Sequence, residues 1–435
     1  MLILTLGILA CTIWLIKFFR EKLMMFLKAS NIPNVKTGRF GAIGDLVGKS
    51  VDGCLKQILH YMNDGPEIQK TWFGHYLMVG VMKPEYVEAV MTNKNSLYRT
   101  PLMNFLSPYV GDGIFTAKGT AFGARMKAQS SKIRYGEYVS DFLDLATVRM
   151  MNPFYHPQIL FYMTKIGKMS KKISTELRLF AENLITQQRS VFEQNIQRGQ
   201  QNDNKDDDKY KTVMEMLLEE IDKERGFTEE QLADEVNTLL AAGTDTTAVV
   251  LSYCCLTLGM YPEYQQKIYE EVVEVLGDRS DVTQEDVSKM HFVEMFIKET
   301  LRIFPIAPLN VRMADDDVIL DENYVIPKGT LIIMSALHMQ RSPKYWKDPL
   351  KFDPYRFLPE RFSEKHPFSY IPFSRGPRNC LGARYAMMNL KIVFSKIVRK
   401  FTVKTDYRCL EDVVVTVKLL SAPTDGFKIT LYQRK

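Results

Sequence analysis

Cys380 stands in a loop whose neighbours bias it towards chemistry. The stretch PFSRGPRNCLGARYAMMNLK, from Pro372 to Lys391, sets one thiol among Gly, Pro and Arg just ahead of a helical pattern. A buried free cysteine ordinarily behaves as a small hydrophobe. Here Phe373, Gly376, Arg378 and Gly382 surround it in sequence. The two glycines allow backbone conformations and close approaches that a side chain would block. The helix expected through Ala383, Met387 and Leu390 presents orphan N–H groups at its start, and these favour a thiolate. Arg378 can meet a carboxylate in bidentate geometry. A planar apolar cofactor with acidic arms, carrying a metal that accepts a thiolate, fits this set. Haem is such a cofactor.

Two further constellations carry polar groups into apolar surroundings. In the stretch Gly226 to Leu256, Thr228 and Gln231 form a capping box that starts a helix, and Leu232, Val236, Leu239, Leu240, Val250, Leu251 and Cys254 give it an apolar face. Gly243-Thr244-Asp245-Thr246-Thr247 interrupts that face. Gly alone costs about 1 kcal/mol relative to Ala inside a helix, and hydroxyls there loosen the backbone ladder. Either the segment is a local kink with satisfied hydroxyls, or it is a groove in which an acid and an alcohol handle protons. The third constellation is Lys298-Glu299-Thr300-Leu301-Arg302. Glu299 and Arg302 fall on one helix face, and Phe296, Ile297 and Phe304 around them point to a partly buried pair, costly to break.

The elements that must position these groups are mostly helical. Residues 68–91 read as strands followed by a helix, and helical patterning runs from about Glu137 to Leu301. The run QRGQQNDNKDDDKYK, Gln197 to Lys211, has no apolar face and reads as a solvated loop. After Pro305 come short strands and turns, the meander FDPYRFLPERF, the helix after Cys380 and further strands. The chain has 435 residues, with 46% hydrophobic and 25% charged, an ordinary globular composition. No linker or repeat divides it, so one large domain is expected. The net charge of +6 is modest and makes no case for nucleic acid. Six cysteines show no metal-ligand spacing and no disulfide scaffold, which points to a reducing compartment. The first sixteen residues carry no charge, and Lys17, Arg20, Lys22 and Lys28 follow. That pattern predicts a membrane anchor over 1–22, with the catalytic part, 30–435, on the cytosolic side; a cleaved signal peptide, for which no basic n-region or clear cleavage site is present, and a buried helix are the rival readings.

With these motifs assembled, the chain resembles the cytochrome P-450 family of haem-thiolate monooxygenases. Phe373, Gly376, Arg378, Cys380 and Gly382 match the family's haem-binding signature. Ala242 to Thr247 resembles its oxygen-binding groove, and Glu299-Thr-Leu-Arg302 is similar to its E-x-x-R pair. The resemblance implies a mainly α fold with small β-sheets and haem b held by the Cys380 thiolate. Thr246 is implied to hold dioxygen by a hydrogen bond, and Asp245 to deliver protons through water. Glu299 and Arg302 are implied to join a meander arginine in bracing the haem loop. Arg356 and Arg361 are the candidates, and Arg356 has the better spacing to Cys380. Arg378 and Arg312 are implied to pair with haem propionates. The implied reaction inserts one oxygen atom from O2 into a hydrophobic organic substrate, a fatty acid, hormone-like lipid or xenobiotic. No dinucleotide fingerprint is present, so NADPH would act through a reductase, with cytochrome b5 as a further donor. Arg384, Lys391, Lys396, Arg399 and Lys400 resemble the family's docking face, although a solvated helix face explains them equally. Met150, Met151, Phe154, Tyr155, Phe161 and Tyr162 resemble its substrate channel, with plain core as the rival. Ala307, Pro308 and Leu309 would lie near the haem. Endoplasmic reticulum and microsomal membranes are the implied location.

The chain departs from the family after about residue 119. The usual helix offering Trp and Arg to a propionate does not follow Gly111–Gly119, and Thr120 onward resembles a later part of the pattern. The tryptophans are Trp14, Trp72 and Trp346, so none falls between residues 73 and 345. Several tens of residues of the family's usual length are thus missing, by splicing, gene misprediction or true deletion. The alternative reading is an inactive or haem-deficient isoform. A haem-thiolate isomerase or dehydratase is a further rival, which Asp245 and Thr246 argue against. Among relatives, the pattern is most like the clan of fatty-acid ω-hydroxylases and insect members. Where some of that clan attach haem through a Glu, Ala242 stands here, so no ester bond is expected.

Overall fold

The computed structural model describes residues 2–38, 41–46, 49–73, 75–97, 100–110, 135–201, 212–222, 228–417 and 419–434. The departure at residues 111–134 therefore lies outside the described residues, as do residues 202–211 of the polar run. The described chain forms two compact units. One comprises Met1–Thr100, Leu309–Tyr345 and His366–Asn379, and the other Pro101–Pro308, Trp346–Lys365 and Cys380–Lys435.

The first unit is built on a small sheet. Its helices are α1 (Leu2–Lys28), α2 (Gly41–Leu46), α3 (Val51–Asp64) and α4 (Pro84–Thr92). Strands β1 (Ile68–Phe73), β2 (Tyr76–Val81), β3 (Leu309–Met313) and β6 (Leu331–Ser335) form a sheet in the order β1-β2-β6-β3, beside the short ribbon β4 (Val318–Ile319) with β5 (Val325–Ile326). β2 and β6 run parallel, Val79 opposite Ile332, and the outer pairs are antiparallel. Every residue of β6 is buried, as expected of an interior strand lined by apolar side chains. Leu77, Val79, Val81, Ile332 and Met334 join Val87 and Val90 of α4 in one core.

The second unit is helical. It holds α5 (Ser107–Val110), α6 (Tyr135–Met151), α7 (Gln158–Met163), α8 (Lys165–Gln201), α9 (Val213–Asp222) and α10 (Glu229–Met260). Then follow α11 (Pro262–Leu276), α12 (Gln284–Lys289) and α13 (His291–Ile303). The first unit's α14 (Ala336–Arg341) intervenes before α15 (Pro359–Phe362), α16 (Ala383–Lys400) and the ribbons β7 (Phe401–Thr405) with β10 (Ile429–Gln433), and β8 (Val415–Val417) with β9 (Ser421–Pro423). The capping box opens α10 as its sequence dictates: Thr228 Oγ1 accepts from Gln231 N–H while Gln231 Oε1 accepts from Thr228 N–H. One face of α10 buries Leu232, Val236 and Leu240 against α6 and α8. The polar run is not loop throughout, because Gln197 to Gln201 complete the last turns of α8. A long helix with good helix formers carries on past the point where its apolar face ends.

Candidate functional site

The boundary between the units falls between Asn379 and Cys380, so the cysteine loop is split between them. In the first unit, Ser374 (φ 58°) and Gly376 (φ 78°) adopt the left-handed region. A Cβ at Gly376 would lie 2.3 Å from the carbonyl oxygen of Met91, so a glycine lets the loop press on the end of α4. Phe373 is half-buried. Arg378 Nε donates to Leu97 O at 3.1 Å. Arg312, on β3, has no carboxylate partner among the described residues; burial pushes its pKa down to about 10, and the charge of Arg378 pushes the same way. Two guanidinia repelling each other form a ready receptor for a dianion.

In the second unit, Cys380 is exposed, two residues before the N-cap of α16. The Gly382 N–H donates to its sulfur and pulls the thiol pKa down. Crowding by the surrounding chain outweighs this and pushes it up, although the residue as a whole is open to solvent. A metal reverses that balance, since a coordinating thiol is deprotonated outright. Gly382 has an ordinary backbone (φ −83°), and a Cβ there would meet only the Cys380 sulfur, at 4.0 Å. The expected backbone need for glycine is therefore met at Gly376 and not at Gly382. Among the described residues no three His, Cys, Asp or Glu side chains group as metal ligands. The second unit offers one reachable thiol near a helix start, and the first offers two guanidinia, of which Arg312 has no carboxylate partner among the described residues. Such groups fit a thiolate-ligated metal whose other ligands come from a cofactor with acidic arms.

In the middle of α10, the helix runs unbroken through Gly243-Thr244-Asp245-Thr246. Ala242, Gly243 and Thr244 are exposed, and a Cβ on Gly243 would meet nothing within 4 Å. The expected interruption is thus a bare strip of helix and not a kink. Thr244 Oγ1 donates to Leu240 O at 2.7 Å and Thr246 Oγ1 to Ala242 O at 2.6 Å, which keeps both hydroxyls on the helix surface as acceptors. Burial raises the pKa of Asp245, and the carboxylate of Asp144 on α6 adds to the rise. A carboxyl disposed to hold its proton beside an alcohol suits proton delivery.

Glu299 and Arg302 form a fully buried, two-pronged pair. Arg302 Nε and Nη2 donate to the two Glu299 oxygens at 2.7 and 2.8 Å, and both side chains are 0% exposed. Burial pushes the Glu299 carboxyl up against the pull of Arg302. Arg356 Nε lies 3.5 Å from Glu299 Oε1, whereas Arg361 is 60% exposed and, among the described residues, pairs with Asp353 alone, at 4.0 Å. Sequence reasoning missed the rest of the cluster. The Asp353 N–H donates to Glu299 at 2.8 Å, and Arg302 donates to the carbonyls of Pro349 and Lys351. Trp346, 0% exposed, lies between Arg302 and Lys365, 5.1 and 4.8 Å from its ring centre. Backbone groups leave no trace in composition, but a tryptophan ten residues before Arg356 is a visible cue.

Other sequence readings fare differently. Lys391 is 4% exposed and bonded to Glu294 at 2.8 Å, so it belongs to the core of the second unit and not to an open docking face. Arg399 donates to the carbonyls of Gly277 and Arg279, capping the end of α11. Arg384, Lys396 and Lys400 remain exposed. Phe161 is fully buried, a core residue, while Phe154 is open. Ala307 is exposed and Pro308 buried.

Comparison with known proteins bears on both fold and site. The family model described as Cytochrome P450 matches residues 116–431. The chain is 28% identical to "Cytochrome P450 4V2" of Rattus norvegicus over 450 positions, covering 87% of this chain and 85% of that one. It is 25% identical to "Cytochrome P450 4g1" of Drosophila melanogaster over 518 positions, covering 97% and 92%. Among solved structures, the "Crystal structure of cytochrome P450DA heme domain" superposes with a TM-score of 0.72 at 18% identity, covering 93% of this chain and 97% of that one. That likeness establishes the fold, mainly helical with small sheets.

Proposed function

The chain belongs to the cytochrome P450 family, oxidoreductases of the monooxygenase type, and on that premise we propose how its residues serve the reaction. The substrate is a hydrophobic organic molecule, with fatty acids first among the candidates because the relatives resemble that clan. Electrons come from NADPH through a flavoprotein reductase, with cytochrome b5 as a second donor. Bound haem supplies the activation of O2 for insertion of one oxygen atom, with release of the other as water. Cys380 holds the iron as its thiolate, and the Gly382 N–H steadies the sulfur. Arg312 and Arg378 take the propionates. With haem in place, Asp245 would pass protons through water, and Thr246 would offer its hydroxyl to the oxygen. Glu299, Arg302 and Arg356 fix the chain leading to the cysteine loop.

The observation that carries this reading is the cysteine loop itself. It has a left-handed glycine where no side chain fits and a thiol that accepts an N–H at a helix start. The test is the carbon-monoxide difference spectrum of the reduced, membrane-expressed protein. A thiolate-type Soret band is expected, and it should vanish in Cys380→Ala. An unchanged band in that variant refutes the ligand assignment.

One observation favours a second reading. The comparison with the Drosophila protein runs to 518 positions, more than the 435 residues of this chain, so the relative has residues without counterpart here. A chain that lacks part of the haem cover would be a haem-deficient isoform, and it would give no Soret band at all.

For location, α1 carries the proposal. Leu6, Ile8, Leu9, Ile13, Trp14 and Ile16 are each more than half exposed, an apolar surface that water does not tolerate. We read it as an anchor in the endoplasmic reticulum membrane, with the basic residues after it holding the catalytic part in the cytosol. Among the described residues the helix long and apolar enough to cross a membrane is α10, but it is the central helix of the second unit, and a core helix meets the same criterion.

A further inference from the structure

Gln340, on α14, is 0% exposed, an uncommon place for an amide. Burial of such a group is costly unless it is hydrogen-bonded. Its Oε1 accepts the N–H of Ile371 at 3.0 Å. Ile371 belongs to the sheet core that also holds Met91, Met339 and Phe368. Pro372 has no N–H, so Ile371 offers the last backbone donor ahead of Phe373. The Ile371 carbonyl in turn accepts the Ser374 N–H at 3.1 Å and closes a turn. That turn delivers Ser374 into the left-handed region, at φ 58°. A residue other than glycine persists there only where its surroundings hold it. A second turn follows, with the Asn379 N–H on the Gly376 carbonyl at 3.1 Å, and the loop then reaches Cys380. Gln340 holds the first turn from a firm base. α14 follows directly on the buried strand β6, and Ser335 Oγ caps it by accepting the His338 N–H at 3.1 Å.

We propose that Gln340 is a positioning residue for the thiol: by holding the Ile371 backbone it fixes the start of the cysteine loop, and so sets how firmly the Cys380 thiolate is kept on iron. The inference rests on the reading of Cys380 as the ligand of haem iron. A ligand serves only when held within about 0.5 Å of its productive place, and a loop is held that closely only if its entry is fixed.

Three variants of the full-length chain test this. Gln340→Met keeps the length and removes the acceptor, and Gln340→Glu restores an oxygen at the same reach. Gln265→Met is the matched control. Gln265 is 5% exposed and its Oε1 accepts the Val403 N–H at 2.7 Å, so it is an equally buried glutamine that holds a strand and no cysteine loop. The first readout needs no haem. Hydrogen exchange in peptides from 366 to 379, followed by mass spectrometry, should quicken about tenfold in Gln340→Met, as expected when a buried N–H loses its acceptor. It should stay at the parent rate in Gln340→Glu and Gln265→Met. The second readout is the carbon-monoxide difference spectrum during mild heating. The thiolate-type Soret band should give way to a protonated-thiol band several-fold faster in Gln340→Met alone, even where Gln265→Met melts as early. Unchanged exchange in Gln340→Met overturns the proposal, and so does equal band loss in Gln340→Met and Gln265→Met. Faster exchange with the parent's band lifetime also overturns it, because Gln340 would then order the loop without serving the thiol. If Gln340→Met does not fold, Gln340→Asn, whose shorter amide falls short of Ile371, takes its place with the same expectations. A parent chain without any Soret band sinks the haem reading and the role of Gln340 with it, whereas a parent with the band and no difference among the variants sinks the proposal alone.

Discussion

Glu299 receives N–H groups from Arg302 and from the Asp353 backbone while wholly out of water. The energetic consequence is asymmetric. Removing one partner strands a buried charge at a cost of about 3–5 kcal/mol, whereas replacing the whole pair by apolar groups can be nearly neutral. Arg302→Met should therefore lower the unfolding free energy by about that much in urea titrations. The double variant Glu299→Leu/Arg302→Met should recover part of it. Arg361→Gln should shift stability by less than about 1 kcal/mol, because its ion pair is exposed and long. Equal losses for Arg302 and Arg361 would show that burial is not what sets the value of this pair.

At the scale of elements, caps and strands carry effects that propensity alone does not show. The start of α12 is fixed by Asp286, which accepts from Thr283 N–H and is clasped by Arg279 Nη1 and Nη2 at 3.0 and 2.8 Å. Arg279 first, then Thr283, hold its carboxyl well below the usual carboxylate range. A depressed folded-state pKa gives stability that is present above the unfolded value of about 3.9 and is lost as pH falls through the folded value. Asp286→Asn should thus lower the melting temperature at neutral pH. It should also flatten the acid-side decline below about pH 4; a parallel decline in parent and variant would contradict this. In the first unit, a cavity of about 40 Å³ lies among Ala42, Ile58, Met62, Met78 and Gly80. A Cβ on Gly80 would meet its nearest atoms at 3.7 Å, ordinary contact distance. Gly80→Ala should stabilise by about 0.4–1 kcal/mol, as thermal unfolding would show, since it restricts the unfolded chain and fills space without strain. The capping box of α10 and the helix-rich middle were legible in sequence because a cap is a local code. The end of α8 was not, because helix formers propagate past the apolar face. Lys391 was misread for a related reason: charge is visible in sequence, but the Glu294 that buries it sits on another helix.

At the scale of the whole chain, the sequence pattern divides an anchor at 1–22 from a catalytic part beginning at 30, and the structure supplies a reason to place the join differently. α1 runs without a break to Lys28. Its final turn belongs to the first unit: Met25, Ala29 and Ile32 are 8, 0 and 1% exposed and pack into the core of the sheet. Lys70, 3% exposed on β1, donates from Nζ to Ala29 O at 2.5 Å and so satisfies a carbonyl at the helix end. Lys28 pairs with Asp317 at 2.5 Å, and the ammonium of Lys22 lies 5.9 Å from the centre of the Trp72 ring. No flexible linker separates the apolar stretch from the folded unit, and a contact with a distant strand is what periodicity alone could not show. Two truncations separate these roles. Removal of residues 2–20 takes away the exposed apolar surface and spares the docked turn, so the protein should leave the membrane fraction at an unchanged melting temperature. Removal of residues 2–34 also strips Met25, Ala29 and Ile32 from the core and leaves Lys70 without its acceptors. Buried Met or Ile truncations cost about 2–5 kcal/mol each, so this variant should melt far earlier or fail to fold. Equal melting temperatures for the two truncations would mean that the end of α1 adds nothing to the sheet core. Retention of the shorter truncation in the membrane fraction would mean that α1 is not what holds the chain there.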